Sequence, residues 1–189
     1  GIAYILAVVL GIVVGVVAAV NHGKWVDSAL MTISVFGISA PAFWIAIILQ
    51  IVICLKFNLL PLSGIDSFKS FILPGIALGT RYAASIARIT RTSMLDVLSQ
   101  DYIRTAEAKG LKGWVVTIKH ALRNALIPII TIAGSDLGNI LTGSVLVESV
   151  FSIPGIGKML VDSINTRDLP IVQGGVMYIA VICVIMYLV

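Results

Sequence analysis

Asp136 is the residue best placed for chemistry, because it is the only acidic side chain well inside a long apolar stretch. A carboxylate in a lipid-embedded helix is costly, so it normally faces a water-filled cavity or a partner. One interpretation is that Asp136 lines a hydrophilic pathway and attracts a cationic group. The alternative is structural: a hydrogen bond to a neighbouring helix, or an ion pair with Arg81. The sequence leaves both open.

Motifs for catalysis or metal binding are missing from the sequence. His22 and His120 are far apart, and neither sits in a cluster of carboxylates or thiols. Cys54 and Cys183 lie in apolar runs without metal-ligand spacing. No G-x-S-x-G nucleophile motif and no P-loop occurs. We therefore predict a non-enzymatic chain with no catalytic residue, metal site or cofactor of its own. Any energy coupling would have to come from an ion gradient or from another subunit.

Composition places these residues in a membrane. Of 189 residues, 59% are hydrophobic and 12% are charged, whereas soluble proteins carry about 25% charged residues. A helix crosses the bilayer core with about 20 apolar residues. We predict an all-α integral membrane protein, one domain over 1–189, with a kink at Pro41. Its five predicted spans are 1–20, 29–55, 72–92, 125–147 and 171–189.

The charges between the spans predict the orientation. Loops 21–28 and 93–124, with their borders, carry eight Lys and Arg residues, against four in loops 56–71 and 148–170. Positive charge concentrates on the cytoplasmic side. Segment 93–124 is therefore predicted to be cytoplasmic, with Gly1 outside and Val189 inside.

The cytoplasmic segment is predicted to form two short helices around a glycine. Asp101 would cap the first helix, and Gly110 would end it by adopting a left-handed conformation. Pro128 would limit the second helix. A cationic helix pair between spans is not needed to cross a bilayer, so it indicates a docking surface. The second helix would place these apolar side chains on one face: Trp114, Ile118, Ala121 and Leu122.

Small and basic residues along the spans predict packing. The GxxxG spacings at Gly11–Gly15 and Gly134–Gly138 favour close helix contacts. Arg81, Arg88 and Arg91 share a helix face. Arg88 and Arg91 are interpreted as reaching the cytoplasmic headgroups, with contact to segment 93–124 as the alternative. The spacing from Ser93 to Asp96 matches a capping box, which predicts a new helix there.

The outer loop 148–170 is turn-rich and apolar. Residues 158–164 are predicted to form a short interfacial helix. Such a segment could lie on the membrane, plug a pathway or receive a partner.

The order of several short strings resembles one known family. DYIRTAEAKGL followed by HALRNALIP is similar to the EAA loop in membrane subunits of ATP-binding-cassette importers. The variant resembles that of the dipeptide, oligopeptide and nickel permease branch, in its first permease subunit type. Further similar strings are GISAPAFW, LLP, ARITRTSML, GSVLVE, FSIPGIG and RDLPIVQ.

The resemblance implies a type I importer transmembrane domain with a cytoplasmic EAA-type loop over 93–124. Residues 101–114 would form a coupling helix seated on an ATPase subunit. His120 and Arg123 depart from the general motif. The coupling positions implied are Arg104, Thr105, Ala106, Glu107, Gly110, Leu111, His120 and Leu122.

The resemblance also implies partners. These are a second homologous permease, two cytoplasmic ATPase subunits that bind ATP and Mg²⁺, and an extracytoplasmic substrate-binding protein, in a bacterial or archaeal inner membrane. Another span would precede Gly1. No nucleic acid is implied. Contacts to the binding protein would come from Phe151, Pro154, Gly155, Arg167 and Asp168.

The implied function is import of dipeptides or oligopeptides, with nickel as an alternative cargo. The rival from another class is a secondary transporter or channel using Asp136 as an ion site. An intramembrane hydrolase is a more distant alternative.

Overall fold

A computed structural model describes residues 2–64 and 67–188, and the side chains of residues 2, 141–144 and 188 lie outside that description. Within these ranges the regular structure is helical and includes no strand, which confirms the all-α prediction. The predicted positions of Gly1 and Val189 lie outside the described residues.

The helices follow one another with short connections. Two segments are π-helical, continuing α3 and α6 respectively, and one 3₁₀ turn precedes α4. In order, the elements are α1 Ile2–Val20, α2 Trp25–Ser39, α3 Ala42–Leu49, the π segment Gln50–Lys56, the 3₁₀ turn Phe68–Phe71, α4 Ile72–Leu98, α5 Asp101–Ala108, α6 Gly113–Val115, the π segment Val116–Leu122, α7 Arg123–Val150, α8 Ile156–Asn165 and α9 Leu169–Leu188.

Among the described residues, three helices are long and apolar enough to cross a membrane: Ala3–Val20, Gly113–Ile140 and Leu169–Tyr187. A fourth crossing is possible if α2 and the helix after it form one broken span. The break falls at Pro41, which precedes α3 and where the sequence predicts a kink. Helix α4 covers the third predicted span but falls outside this apolar set, and it carries three arginines. Five crossings therefore remain a prediction.

The described chain packs as two compact units. The first contains Ile5–Ser39 and Tyr82–Ala133, and the second contains the rest of the described chain. The prediction of one domain is not decided by this division, since several helices run through both units.

The first unit has its core where α4, α5 and the start of α7 meet. Buried side chains there include Ile86, Met94, Ile103, Val116 and Ala125. Helix α1 joins them through its glycines. A Cβ at Gly11 would lie 2.8 Å from Ile86 Cβ, and one at Gly15 would collide with Thr90. The predicted packing role of this GxxxG pair is confirmed.

The second unit has a separate core in which α3, α4 and α7 meet. Its buried side chains include Ala46, Leu73, Val147 and Phe151. The two glycines of the second GxxxG pair have different surroundings. A Cβ at Gly138 would lie 3.0 Å from the Tyr187 ring, whereas a Cβ at Gly134 would meet nothing within 4 Å.

Two predicted helix boundaries are wrong. No helix begins at Ser93, because α4 continues to Leu98, and Met94 is fully buried in the first core. Pro128 lies inside α7 rather than at its limit. A proline removes one backbone hydrogen bond, but Ala125 and Ile129 on either side are both buried in the core. Packing therefore outweighs the local signal at both sites.

Candidate functional site

Helix α5 is amphipathic and presents a polar face. It buries Ile103, which is 1% exposed, and Ala106. The predicted cap is wrong: Gln100 precedes the helix without a side-chain cap, and Asp101 is the first helical residue. The Asp101 carboxylate instead lies 3.8 Å from Arg104 Nη1. An acid in the first turn is still favourable, because the N-terminus carries partial positive charge.

Gly110 ends α5 as predicted. Its φ is +76°, a conformation that glycine adopts without the steric cost imposed by a Cβ. The Gly110 N–H donates to the Glu107 carbonyl at 2.9 Å, and the Leu111 N–H donates to the Ala106 carbonyl at 3.4 Å. These two bonds form a Schellman motif, which satisfies carbonyls at the helix end. The turn after α5 therefore depends on this glycine.

The second helix of segment 93–124 does not present the predicted face. Val116 and Ala121 are buried, but Trp114 is 68% exposed and Ile118 is also exposed. Residues Val116–Leu122 are π-helical. A π-helix has a longer repeat than an α-helix, so side chains that would share one face at α-helical spacing are divided between buried and exposed positions.

A hydrogen-bonded link joins α5 to the start of α7. Asn124 Nδ2 donates to Tyr102 Oη at 2.8 Å and to the His120 carbonyl at 3.1 Å. His120 lies in the π-helical segment. Asn124 therefore connects α5 to the helix that continues towards the apolar span. Sequence periodicity offered no signal for this contact.

The predicted coupling positions divide by exposure. The exposed coupling positions are accessible to a partner, whereas the buried and half-buried positions pack against the rest of the chain. Exposed are Arg104, Thr105, Glu107, Gly110 and Leu111; Ala106 is buried, and His120 and Leu122 are half-buried.

A charged cluster at the start of α2 was missed by the sequence interpretation. The Asp27 side chain is 5% exposed and forms an ion pair with Arg91. It also accepts the Gly23 N–H at 3.1 Å and contacts His22 Nδ1 at 3.1 Å. Arg91 thus binds a carboxylate rather than reaching for headgroups, which corrects that interpretation. Arg88 is exposed.

Asp136 lies half-buried on α7. Its carboxylate is hydrogen-bonded by the Asn139 side chain, one turn away on the same helix. Tyr187 Oη on α9 donates to Asn139 Oδ1 at 2.9 Å. In the described chain no salt bridge joins Asp136 to Arg81. Asp136 therefore belongs to a polar cluster drawn from α7 and α9.

The segment that leads into α8 is held by Glu148. Its Oε2 accepts the Gly157 N–H at 2.9 Å and the Lys158 N–H at 3.4 Å, at the start of α8. Gly155 and Gly157 permit this approach, since a Cβ at either would collide with the Glu148 carboxylate. The short helix predicted around 158–164 is confirmed as α8.

The predicted binding-protein contacts lie around this helix. Phe151 is buried in the second core and supports the segment from inside, whereas Pro154 and Arg167 are exposed. Gly155 is the residue before α8. The Asp168 carboxylate accepts the Ile171 N–H at 3.3 Å, at the start of α9.

Comparison with known proteins gives a family match. The family model described as "Binding-protein-dependent transport system inner membrane component" matches residues 11–189. The glutathione transport system permease protein GsiC of Escherichia coli strain K12 is 46% identical over 171 residues, covering 90% of this chain. GsiC of Salmonella choleraesuis is 45% identical over 173 residues, covering 92%. The chain spans 56% of the length of each relative.

Proposed function

Because the chain belongs to the binding-protein-dependent transport system inner membrane components, we propose that it is the permease subunit of an ATP-driven importer of small peptides. Its relatives are named glutathione transport permeases, and glutathione is a tripeptide. These names favour a peptide cargo over nickel. The family description and the apolar helices make it an inner-membrane protein.

The observation that carries this proposal is the exposed face of α5, a helix that ends at the Gly110 turn. An eight-residue helix with a polar outer face and a packed inner face can seat on a partner and transmit its movement. Arg104, Thr105 and Glu107 are exposed for that contact. The partner we propose is an ATPase subunit that binds ATP and Mg²⁺, since the chain itself carries no P-loop.

Two contacts link α5 to the long helices and could transmit its movement to them. Ile103 and Ala106 pack in one cluster with Met94 of α4. Asn124 bonds Tyr102 of α5 near the start of α7. A nucleotide-driven displacement of α5 would therefore bias α4 and α7 together. A ligand shifts a two-state equilibrium by its differential affinity for the two states, which is how ATP on one subunit could drive access changes in another.

The loop around α8 would provide the contact with the substrate-binding protein. We propose that α8 and its flanks receive the substrate-binding protein, with Pro154, Gly155, Arg167 and Asp168 at the contact and Phe151 behind them. The Glu148 carboxylate accepts the Gly157 N–H at the first turn of α8. A second homologous permease would provide the other half of the pathway.

The test is to purify the full-length protein from its native membrane in mild detergent, identify what accompanies it, and reconstitute the assembly in vesicles. We expect a second permease, P-loop ATPases, and ATP-dependent uptake of glutathione that exceeds uptake of Ni²⁺. Uptake by the chain alone, driven by an ion gradient without ATP, would overturn the proposal and favour a secondary transporter using Asp136. ATP-dependent uptake of Ni²⁺ without uptake of glutathione would instead identify Ni²⁺ as the cargo.

A further inference from the structure

The charged cluster at the start of α2 contains one side chain that can change its charge near neutral pH. His22, in the turn between α1 and α2, has 59% of its side chain exposed, whereas Asp27 has 5%. Histidine is the side chain that gains or loses a proton between about pH 5 and pH 8. The sequence predicts that loop 21–28 faces the cytoplasm. A proton from that side can therefore reach His22 without a movement of the helices.

The ring nitrogen Nδ1 of His22 lies between a donor and an acceptor. It is 3.0 Å from Arg91 Nη2 and 3.1 Å from Asp27 Oδ2. A guanidinium group can only donate hydrogen bonds, and an ionised carboxylate can only accept them. A bond with Arg91 therefore requires Nδ1 without a proton, whereas a bond with Asp27 requires Nδ1 with one. The nitrogen can satisfy one of these two neighbours at a time.

The Asp27 oxygen that faces His22 already has its partners. Asp27 Oδ2 accepts Arg91 Nη2 at 2.7 Å and the Gly23 N–H at 3.1 Å. Each carboxylate oxygen offers about two lone-pair sites, so these two donors fill it. A proton on His22 Nδ1 would bring a third donor to Oδ2 and a second positive charge to within 3.0 Å of Arg91 Nη2. The arrangement therefore fits neutral His22, whose Nδ1 accepts from Arg91.

Other charged groups around this turn do not reverse that preference. Helix α1 carries no charged residue over Ile2–Val20, and Asp27 is the only one in α2. In the described chain, the salt bridges that involve Asp27 or His22 stay within the cluster. The nearby charged residues in the same turn and on α4 are exposed, and water screens them; they are Lys24, Arg88 and Asp96.

We propose that His22 is a proton-sensitive switch where α2 meets α4. Neutral His22 completes the hydrogen bonds that join Asp27 to Arg91. Protonated His22 competes for Asp27 Oδ2, displaces Arg91 Nη2 or the Gly23 N–H from it, and loosens the start of α2. A proton that disrupts a contact of the folded protein weakens that contact progressively as the pH falls.

The switch also has a consequence for transport. Arg91 lies one turn before Met94 on α4, and Met94 packs in the same cluster as Ile103 of α5. A looser link between α2 and α4 therefore reaches the helix that seats on the ATPase in the proposed function. Acidification of the cytoplasmic side then lowers the amount of peptide taken up per ATP hydrolysed. This consequence rests on the proposed function, whereas the response of the hydrogen bonds to pH does not.

The test is hydrogen–deuterium exchange of the amides of residues 22–30 in the complete importer, at about pH 8 and about pH 5.5. The variant is His22→Gln, whose side-chain oxygen can accept from Arg91 and never gains a proton. The control is His120→Gln, at the other histidine of the sequence. Comparing proteins at the same pH cancels the effect of pH on the exchange chemistry itself.

At about pH 8, the unmodified importer and His22→Gln should exchange at the same rate. At about pH 5.5, the unmodified importer should exchange about fivefold faster than His22→Gln, the ratio that loss of one hydrogen bond of about 1 kcal/mol produces. His120→Gln should behave as the unmodified importer does. Uptake per ATP hydrolysed is measured in vesicles with the nucleotide side at the same two pH values. At the lower pH it should fall in the unmodified importer relative to His22→Gln.

Several outcomes would overturn the inference. Equal exchange in the unmodified importer and His22→Gln at both pH values would exclude the switch. Slower exchange in the unmodified importer at low pH would mean that protonated His22 strengthens the cluster, which reverses the proposal. Loss of the acceleration in His120→Gln would assign the effect to the other histidine. Accelerated exchange with unchanged uptake would reject the consequence for transport.

Failure of the proposed function gives a different result. The unmodified importer would then take up no peptide with ATP at either pH. The exchange ratio between the unmodified protein and His22→Gln would still decide whether the switch exists.

Discussion

Arg91 of α4 holds Asp27 of α2 through two parallel hydrogen bonds, Nε to Oδ1 at 2.6 Å and Nη2 to Oδ2 at 2.7 Å. The planar guanidinium matches the carboxylate in a way that a lysine ammonium cannot. Met94, one turn further along α4, packs in the same cluster as Ile103 of α5. The pair therefore secures the start of α2 to the helix that leads into α5.

Asp27→Asn should destabilise the protein by about 3 kcal/mol, because it leaves Arg91 without its counter-charge in a largely buried site. Arg91→Lys should cost less but still lower stability, since it loses the paired geometry. Thermal unfolding in detergent measures both, with the exposed Arg88→Lys as control. If Asp27→Asn unfolds at the same temperature as the unmodified protein, the pair contributes no stability.

Gly110→Val should uncouple ATP hydrolysis from transport without unfolding the spans. A valine at a φ of +76° is strained by at least about 1–2 kcal/mol, so the Schellman turn would reorganise and move the end of α5. Gly113→Val is the matched control, because Gly113 has open space around it and no such φ. Stimulated ATPase activity and uptake are measured together; normal values of both in Gly110→Val would refute the coupling role.

Gly15→Ala should destabilise the first unit by about 1–3 kcal/mol, a typical cost of overpacking. Its Cβ would collide with Thr90 and lie 2.5 Å from the Ala87 carbonyl oxygen, so α1 would have to move away from α4. Gly134→Ala has the same chemistry in the other GxxxG pair but meets nothing within 4 Å. Unfolding temperatures that fall equally in both variants would contradict the proposed α1–α4 contact.

Glu148→Gln should loosen α8 at its first turn. The carboxylate accepts two N–H groups there, and charged acceptors bond more strongly than neutral ones. We expect amide exchange in Ile156–Asn165 to accelerate about tenfold, equivalent to about 1.4 kcal/mol. Asp162→Asn, an exposed change on the same helix, is the control. Exchange that stays as slow as in the unmodified protein would show that the turns alone order α8.

Much of the fold and part of the site follow from local sequence. Apolar run length predicts membrane helices because backbone groups in lipid must bond within their own segment. Gly110 and the α8 helix are likewise local features, governed by one φ angle or one stretch of side chains. The short strings around them carry the family resemblance, since each is contiguous in the chain.

Other features required the tertiary structure. Asp27 and Arg91 lie 64 residues apart, and no periodicity says which arginine of α4 meets that carboxylate. Gly15 and Gly134 share a motif, but only the former has a helix against it. Ser93 and Pro128 carry stop or start signals that burial of Met94, Ala125 and Ile129 overrides. Local preferences are worth about a kilocalorie each, whereas packing sums many contacts between distant residues, so packing decides wherever the two disagree.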